Sequence, residues 1–157
     1  MAKRALKEGD AAPDFTASTD AGGSLTLSKL KDKPVVLYFY PRDDTPGCTK
    51  EACGFAASLP NFRRVKAEIV GVSKDSVVSH DKFKAKYELP FALVADEDGA
   101  VCAAYGTWIK KENYGRTYMG IERSTFLIDA AGKIRKVWRG VKVEGHVNEV
   151  LAAAKAL

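Results

Sequence analysis

Apolar strands alternating with helices, followed by a hairpin and a closing helix, predict an α/β fold. A mixed central sheet would be flanked by helices, with a second hairpin at the N-terminus. Three observations carry that expectation. Residues 35–40 are a continuous run of β-branched, aliphatic and aromatic side chains, as a strand covered on both faces requires. Residues 76–89 have the spacing of an amphipathic helix that ends before Pro90. The turn Asp129-Ala-Ala-Gly132 then joins two further strand patterns, 124–128 and 133–139.

In chain order, Phe15-Thr-Ala and Ser24-Leu-Thr-Leu27 flank Asp20-Ala-Gly-Gly23 and form a short hairpin by their turn chemistry. After the 35–40 strand, a helix is expected from Pro46 to Leu59, closed by Pro60-Asn61. Residues 67–72 and 91–95 are buried strands on either side of the 76–89 helix. Asp96-Glu-Asp-Gly99 is a turn into a short helix ending at Tyr105, and a final helix covers 145–156. The 157 residues show no repeat, low-complexity tract or linker, so one domain over 1–157 is expected. A thioredoxin-like topology is compatible with this order of elements.

Composition narrows the function classes. The longest apolar run is far too short to span a membrane, and no apolar segment follows Lys3, Arg4 and Lys7 as a secretory signal would require. The expectation is a cytoplasmic protein with no membrane partner. Three cysteines do not make a secreted disulfide framework and point to free, catalytic or transiently oxidised thiols. The net charge of +5 is mild. Its densest cluster, 133–139, reads as a strand with a charged solvent face rather than as a nucleic-acid surface.

The chemistry concentrates in Tyr40-Pro-Arg-Asp-Asp-Thr45-Pro-Gly-Cys48-Thr-Lys-Glu51-Ala-Cys53. Thr45 is a good N-cap, and Pro46 suits the first helical position because its missing N–H would be unpaired there anyway. Cys48 then falls on the first turn. A helix N-terminus favours the thiolate, and the thiolate is the reactive form of cysteine. The Thr45 hydroxyl is expected to accept from a helix N–H and to donate to the sulfur. Ala52, Phe55, Ala56 and Leu59 share the face of Cys48 and should be buried. Cys53, five residues on, is rotated off that face. In an intact helix the two Cα atoms lie roughly 8.6 Å apart, and a disulfide needs less than about 7 Å. Any pairing of these two cysteines therefore requires the first turns of the helix to open. A cation for the sulfur should come from another element; Arg123, heading the 124–128 strand, and Arg42, on the turn, are both candidates.

Taken together, the run from Tyr40 to Phe55 resembles the signature of the peroxiredoxins, and most closely that of the bacterioferritin comigratory protein, or peroxiredoxin Q, subfamily. The family pattern P-x-x-x-T-x-x-C falls on Pro41, Thr45 and Cys48. Glu122-Arg-Ser-Thr-Phe-Leu-Ile-Asp129 is similar to the family's second active-site segment, which favours Arg123. The likeness runs from Gly9-Asp-Ala-Ala-Pro-Asp-Phe15 to the last helix. It implies a thioredoxin fold and reduction of hydrogen peroxide or organic hydroperoxides without metal or haem. Cys48 would become a sulfenic acid, Thr45 and Arg123 would hold the sulfur and the peroxide, and Pro41 would shield the pocket. Cys53 matches a resolving position of the subfamily and would form an intramolecular disulfide, reduced in turn by a thioredoxin- or glutaredoxin-type partner. Some relatives carry the resolving cysteine on the next helix, where residues 80–87 here contain none. Cys102 matches no catalytic position and is expected in the core. Subfamily members are often monomers.

Rival chemistries fit less well. The absence of C-x-x-C argues against a dithiol reductase, while a glutathione-dependent peroxidase would differ only in its reductant. A metal site drawn from Cys48, Cys53, Cys102, His80 and His146 lacks any ligand pair at metal-binding spacing.

Overall fold

The structure, a computed structural model, describes residues 5–30 and 32–157. Its centre is a five-stranded sheet of β3 (Val35–Phe39), β4 (Glu68–Ser73), β5 (Ala92–Ala95), β8 (Ser124–Ile128) and β9 (Ile134–Trp138), in the order β5-β4-β3-β8-β9. β3 pairs in parallel with β4, and β4 with β5, through crossovers that carry α1 (Pro46–Arg64) and α2 (Val77–Tyr87). β8 joins the other side of β3 antiparallel, and β9 follows it antiparallel, so the sheet is mixed as expected. Every residue of β3 and β8 is buried, which is why Val35–Phe39 and Phe126–Ile128 are apolar at consecutive rather than alternate positions. Outside the sheet lie the N-terminal hairpin of β1 (Thr16–Ser18) and β2 (Ser24–Thr26), whose turn is a short 3-10 segment, and α3 (Ala100–Tyr105). β6 (Trp108–Asn113), β7 (Arg116–Ile121) and the last helix, α4 (His146–Lys155), complete the described elements.

The pleat divides the core in two. Val36, Tyr38, Tyr40, Ile69 and Leu127 pack with Cys48, Ala52, Phe55, Phe62, Phe83, Val150 and Leu151 beneath α1, α2 and α4. Leu37, Phe39, Val70, Phe126 and Ile128 pack on the opposite face with Val101, Cys102 and Tyr105 of α3 and with Leu27. The face of α1 predicted to be buried with Cys48 is in the first of these cores, with Ala56 partly buried at its edge.

Two expectations are corrected. α1 does not stop at Pro60 but continues to Arg64. Pro60 lies on the exposed side, while Leu59 and Phe62 are buried on either side of it. Each buried apolar side chain contributes about 1.5–3 kcal/mol, enough together to outweigh the roughly 3 kcal/mol proline penalty. The true stop is a Schellman closure: Ala67 N–H donates to the Phe62 carbonyl, Lys66 N–H donates to Arg63, and Lys66 takes the left-handed conformation at φ 60°. The second correction concerns residues 106–123, where no element was expected. β6 and β7 form an antiparallel hairpin there around Tyr114-Gly115, at φ 51° and 75°. Positive φ at both central residues is the twist that a two-residue hairpin turn needs.

Candidate active site

β3 delivers the chain into the loop 40–45, and the loop delivers it into α1. Pro46 is the first helical residue, so Cys48 occupies the third position, as the sequence predicts. Its side chain is only 2% exposed. Antiparallel pairing places Ser124 opposite Phe39, and this register sets Arg123 beside the loop that leaves β3. From there Arg123 Nη2 donates to Cys48 Sγ at 3.3 Å, and Nη1 donates to Glu51 Oε1 at 2.7 Å. Of the two candidate cations, Arg123 faces the sulfur while Arg42 is exposed on the loop. Gly47 makes the approach close: a Cβ there would lie 3.2 Å from Arg123 Nη2.

Glu51 is fully buried one helical turn beyond Cys48 and was given no role from the sequence. Burial raises its pKa to about 7, against the opposing charge and hydrogen bond of Arg123. Burial also pulls the Arg123 pKa down, but Glu51 and Cys48 outweigh it and raise the value overall. The Tyr38 hydroxyl, fully buried, is raised well above its ordinary value by desolvation and then by Glu51 and Cys48. Lys111, on β6, is lowered by burial and by the positive charge of Arg123.

Thr45 is the N-cap by backbone conformation, but its hydroxyl forms neither expected bond. It donates to the Arg42 carbonyl at 2.9 Å, tightening the turn instead of touching the sulfur. With its proton committed there, the oxygen is left as an acceptor. Pro41 is exposed on the same loop. Cys53 is half-buried within continuous α1 and is a free thiol, like Cys48 and Cys102. Cys102 is enclosed in the second core, where burial and then Asp96 push its pKa up to about 12. The five residues considered for a metal are not brought together. His146 hydrogen-bonds Thr125 at 2.7 Å, and burial pushes its pKa down to about 4. Among the described residues, the cluster of metal-ligand type is Asp43, Asp75 and His80, which bond to one another or to their neighbours.

Glu51 was legible in principle, since a carboxylate three residues after the thiol shares its helical face. Asp43 and His80 are 37 residues apart, and no motif links them.

The AhpC/TSA family profile matches residues 8–137. The chain belongs to that family. Peroxiredoxin Bcp of Bacillus subtilis is 50% identical over 96% of this chain and 96% of its own length. Peroxiredoxin Bcp of Xanthomonas campestris is 48% identical over 91% of this chain and 89% of its own. Among solved structures, the bacterioferritin comigratory protein of X. campestris superposes with a TM-score of 0.87 at 47% identity over 90% of each chain. A cysteine-to-serine variant of Xylella fastidiosa PrxQ reaches 0.93 at 40% identity over 98% of each. This peroxiredoxin is therefore an enzyme of thioredoxin-like fold that reduces peroxides with electrons from a thiol reductant. Among its described residues, no helix is long and apolar enough to cross a membrane.

Proposed function

We propose that this peroxiredoxin reduces hydrogen peroxide and organic hydroperoxides through a Cys48 sulfenic acid, resolved by Cys53. The observation that carries the reading is the guanidinium of Arg123, shared between Cys48 Sγ and the buried Glu51 carboxylate. A cation fixed there faces the attacking sulfur and stands where negative charge develops on the departing peroxide oxygen. The Cys48 thiolate attacks one peroxide oxygen, the O–O bond breaks, and the leaving alkoxide or hydroxide takes up a proton as alcohol or water. Cys48 is left as the sulfenic acid. Thr45, with its lone pairs free, accepts from the peroxide O–H; Arg123 holds sulfur and oxygen, and Pro41 covers the loop side of the site.

In the second half-reaction the Cys53 thiolate attacks the Cys48 sulfur. The S–O bond breaks, water leaves, and a Cys48–Cys53 disulfide forms after the first turns of α1 open. A thioredoxin- or glutaredoxin-type dithiol then returns two electrons and is itself oxidised to a disulfide. The X. campestris relative is associated with alkyl peroxide reduction, which supports organic hydroperoxides as substrates here. The same reading takes residues 1–157 as one domain that works as a cytoplasmic monomer.

The deciding experiment adds one equivalent of hydrogen peroxide to the reduced protein and maps the product by mass spectrometry. A Cys48–Cys53 disulfide is expected within the mixing time. Persistent Cys48 sulfenate would remove Cys53 from the mechanism, and an unoxidised Cys48 would refute the peroxidatic assignment.

A further inference from the structure

The loop that aims Cys48 is held from below by α2. Asp43, five residues before Cys48, is buried with both carboxylate oxygens engaged. Oδ1 accepts from the Tyr40 hydroxyl at 2.6 Å. Oδ2 accepts from Ser79 Oγ at 2.8 Å and lies 2.7 Å from His80 Nδ1. The other ring nitrogen, His80 Nε2, lies 2.8 Å from the carbonyl oxygen of Val94 on β5. His80 has no exposed surface.

These partners decide the charge of the ring. A carbonyl oxygen only accepts, and a carboxylate that already accepts from Tyr40 and Ser79 also presents only lone pairs. A neutral imidazole carries one N–H, so one of the two short contacts would set lone pair against lone pair in a dry interior. Both contacts are satisfied only by a ring protonated at both nitrogens. We propose that His80 is a positioning residue for Cys48: a buried imidazolium that, through Asp43, fixes the loop leading into α1. The positioning role rests on the assignment of Cys48 as the peroxidatic thiol; the charge assignment does not.

The surroundings agree. Burial works against the charge, but the bond and charge of Asp43, the Val94 carbonyl and the charge of Asp75 outweigh it and raise the ring above its ordinary 6.5. Asp75 also accepts from the Asp43 N–H at 2.8 Å and from Ser73 Oγ at 2.7 Å, so a second carboxylate grips the loop backbone. The charged groups facing the ring are thus Asp43 from the loop and Asp75 from the end of β4, with the Tyr40 hydroxyl behind Asp43; β5 contributes a carbonyl. The other charges of α2 turn elsewhere: Asp81 accepts from Ala21 N–H, Lys84 pairs with Asp20, Lys86 pairs with Asp44, and Lys82 is exposed. Asp44, the next loop residue, sits at φ 56° and is tied to Lys86 and the Tyr87 hydroxyl. Two successive loop residues are therefore clamped to one helix, and of these bonds the one between His80 and Asp43 is charged and buried.

The direct test reads the ring nitrogens of 15N-labelled, reduced protein by long-range proton–nitrogen correlation. His80 is expected to show two protonated nitrogens at pH 7, above the ordinary 6.5 of the ring; a single neutral tautomer at pH 7 overturns the proposal. The functional arm measures single-turnover oxidation of Cys48 by hydrogen peroxide from pH 6 to 9, in the native protein and in His80→Gln. The glutamine can donate to only one of the two acceptors. It is expected to slow the reaction about 10-fold, within the range that loss of alignment costs, and to abolish the alkaline fall that the native protein shows as the ring loses its proton. Equal rates and superposable pH profiles would overturn the proposal. Should His80→Gln fail to fold, the spectrum of the native protein still decides. A singly protonated ring beside a reactive Cys48 refutes the proposal alone. A doubly protonated ring beside a Cys48 indifferent to peroxide refutes the peroxidase assignment and the positioning role with it.

Discussion

Arg123 divides its terminal nitrogens between a thiol sulfur and a carboxylate that is wholly out of water. Glu51 aligns that guanidinium, yet its own ionisation is opposed by burial, which raises its pKa from 4.5 to about 7. Between pH 4.5 and 7 the folded carboxyl retains a proton that the unfolded one has released, so this group lowers stability as pH rises through that window. The expected loss is about 3.5 kcal/mol at most, at roughly 1.4 kcal/mol per pKa unit. Denaturant unfolding at pH 5 and pH 7 should show this decline in the native protein and a flatter response in Glu51→Gln. Equal slopes in the two would mean that Glu51 keeps its charge throughout. The contribution of His80 lies in a different window: its raised pKa supports stability fully below 6.5 and loses it only at higher pH.

On the proposed mechanism α1 is both a firm platform and a segment that opens, and its first turn is built for close approach rather than for strength. Gly47 stands where a Cβ would come 3.2 Å from Arg123 Nη2. Gly47→Ala should favour the helix through its better propensity while moving the guanidinium tip by a few tenths of an ångström. The expected result is a protein at least as stable as the native one but about 10-fold slower with peroxide. An unchanged rate would show that Arg123 has room to spare. The same helix illustrates what a sequence discloses. Pro41, Thr45, Cys48 and Glu51 lie within one short run; local chemistry singled out Thr45 and Cys48, Pro41 came from the family resemblance, and Glu51 was given no role. Residue chemistry left Arg123 and Arg42 level; the family resemblance favoured Arg123, and the β3–β8 register, a nonlocal fact, is what sets it beside the sulfur. The Thr45 hydroxyl was assigned to the sulfur because its type allows that bond, but the turn offered the Arg42 carbonyl first. Pro60 suggested a stop because intrinsic propensity is readable in a sequence, whereas the burial of Phe62 that overrides it is not. The β6–β7 hairpin escaped notice because its strands are mostly exposed and lack the apolar alternation that marks a half-buried strand.

Across the whole molecule the sheet separates two cores with different duties. Phe55 stacks on Tyr38 at 4.7 Å beneath the helix that carries Cys48, whereas Phe126 packs against Phe39 and Tyr105 on the far face. Both rings are fully buried, so truncation of either to alanine should cost about 3–5 kcal/mol. Phe126→Ala should leave the peroxide rate within about twofold at temperatures where it remains folded, because the loss is global. Phe55→Ala should lower rate and stability together, since it removes the side chain by which α1 stacks on Tyr38. Paired denaturation and peroxide-consumption measurements distinguish the two, and equal kinetic damage from both would refute the division. The second core also encloses Cys102, a thiol that burial and Asp96 hold in its protonated form to about pH 12. While the chain is folded, this sulfur takes no part in the traffic of oxidants and thiols at the other face. Any mark found on it, whether an alkyl label, glutathione or an extra oxygen, records a moment when that molecule had lost its native core. The chain thus carries, beside the cysteine we propose meets peroxide, another that keeps a tally of its own unfolding.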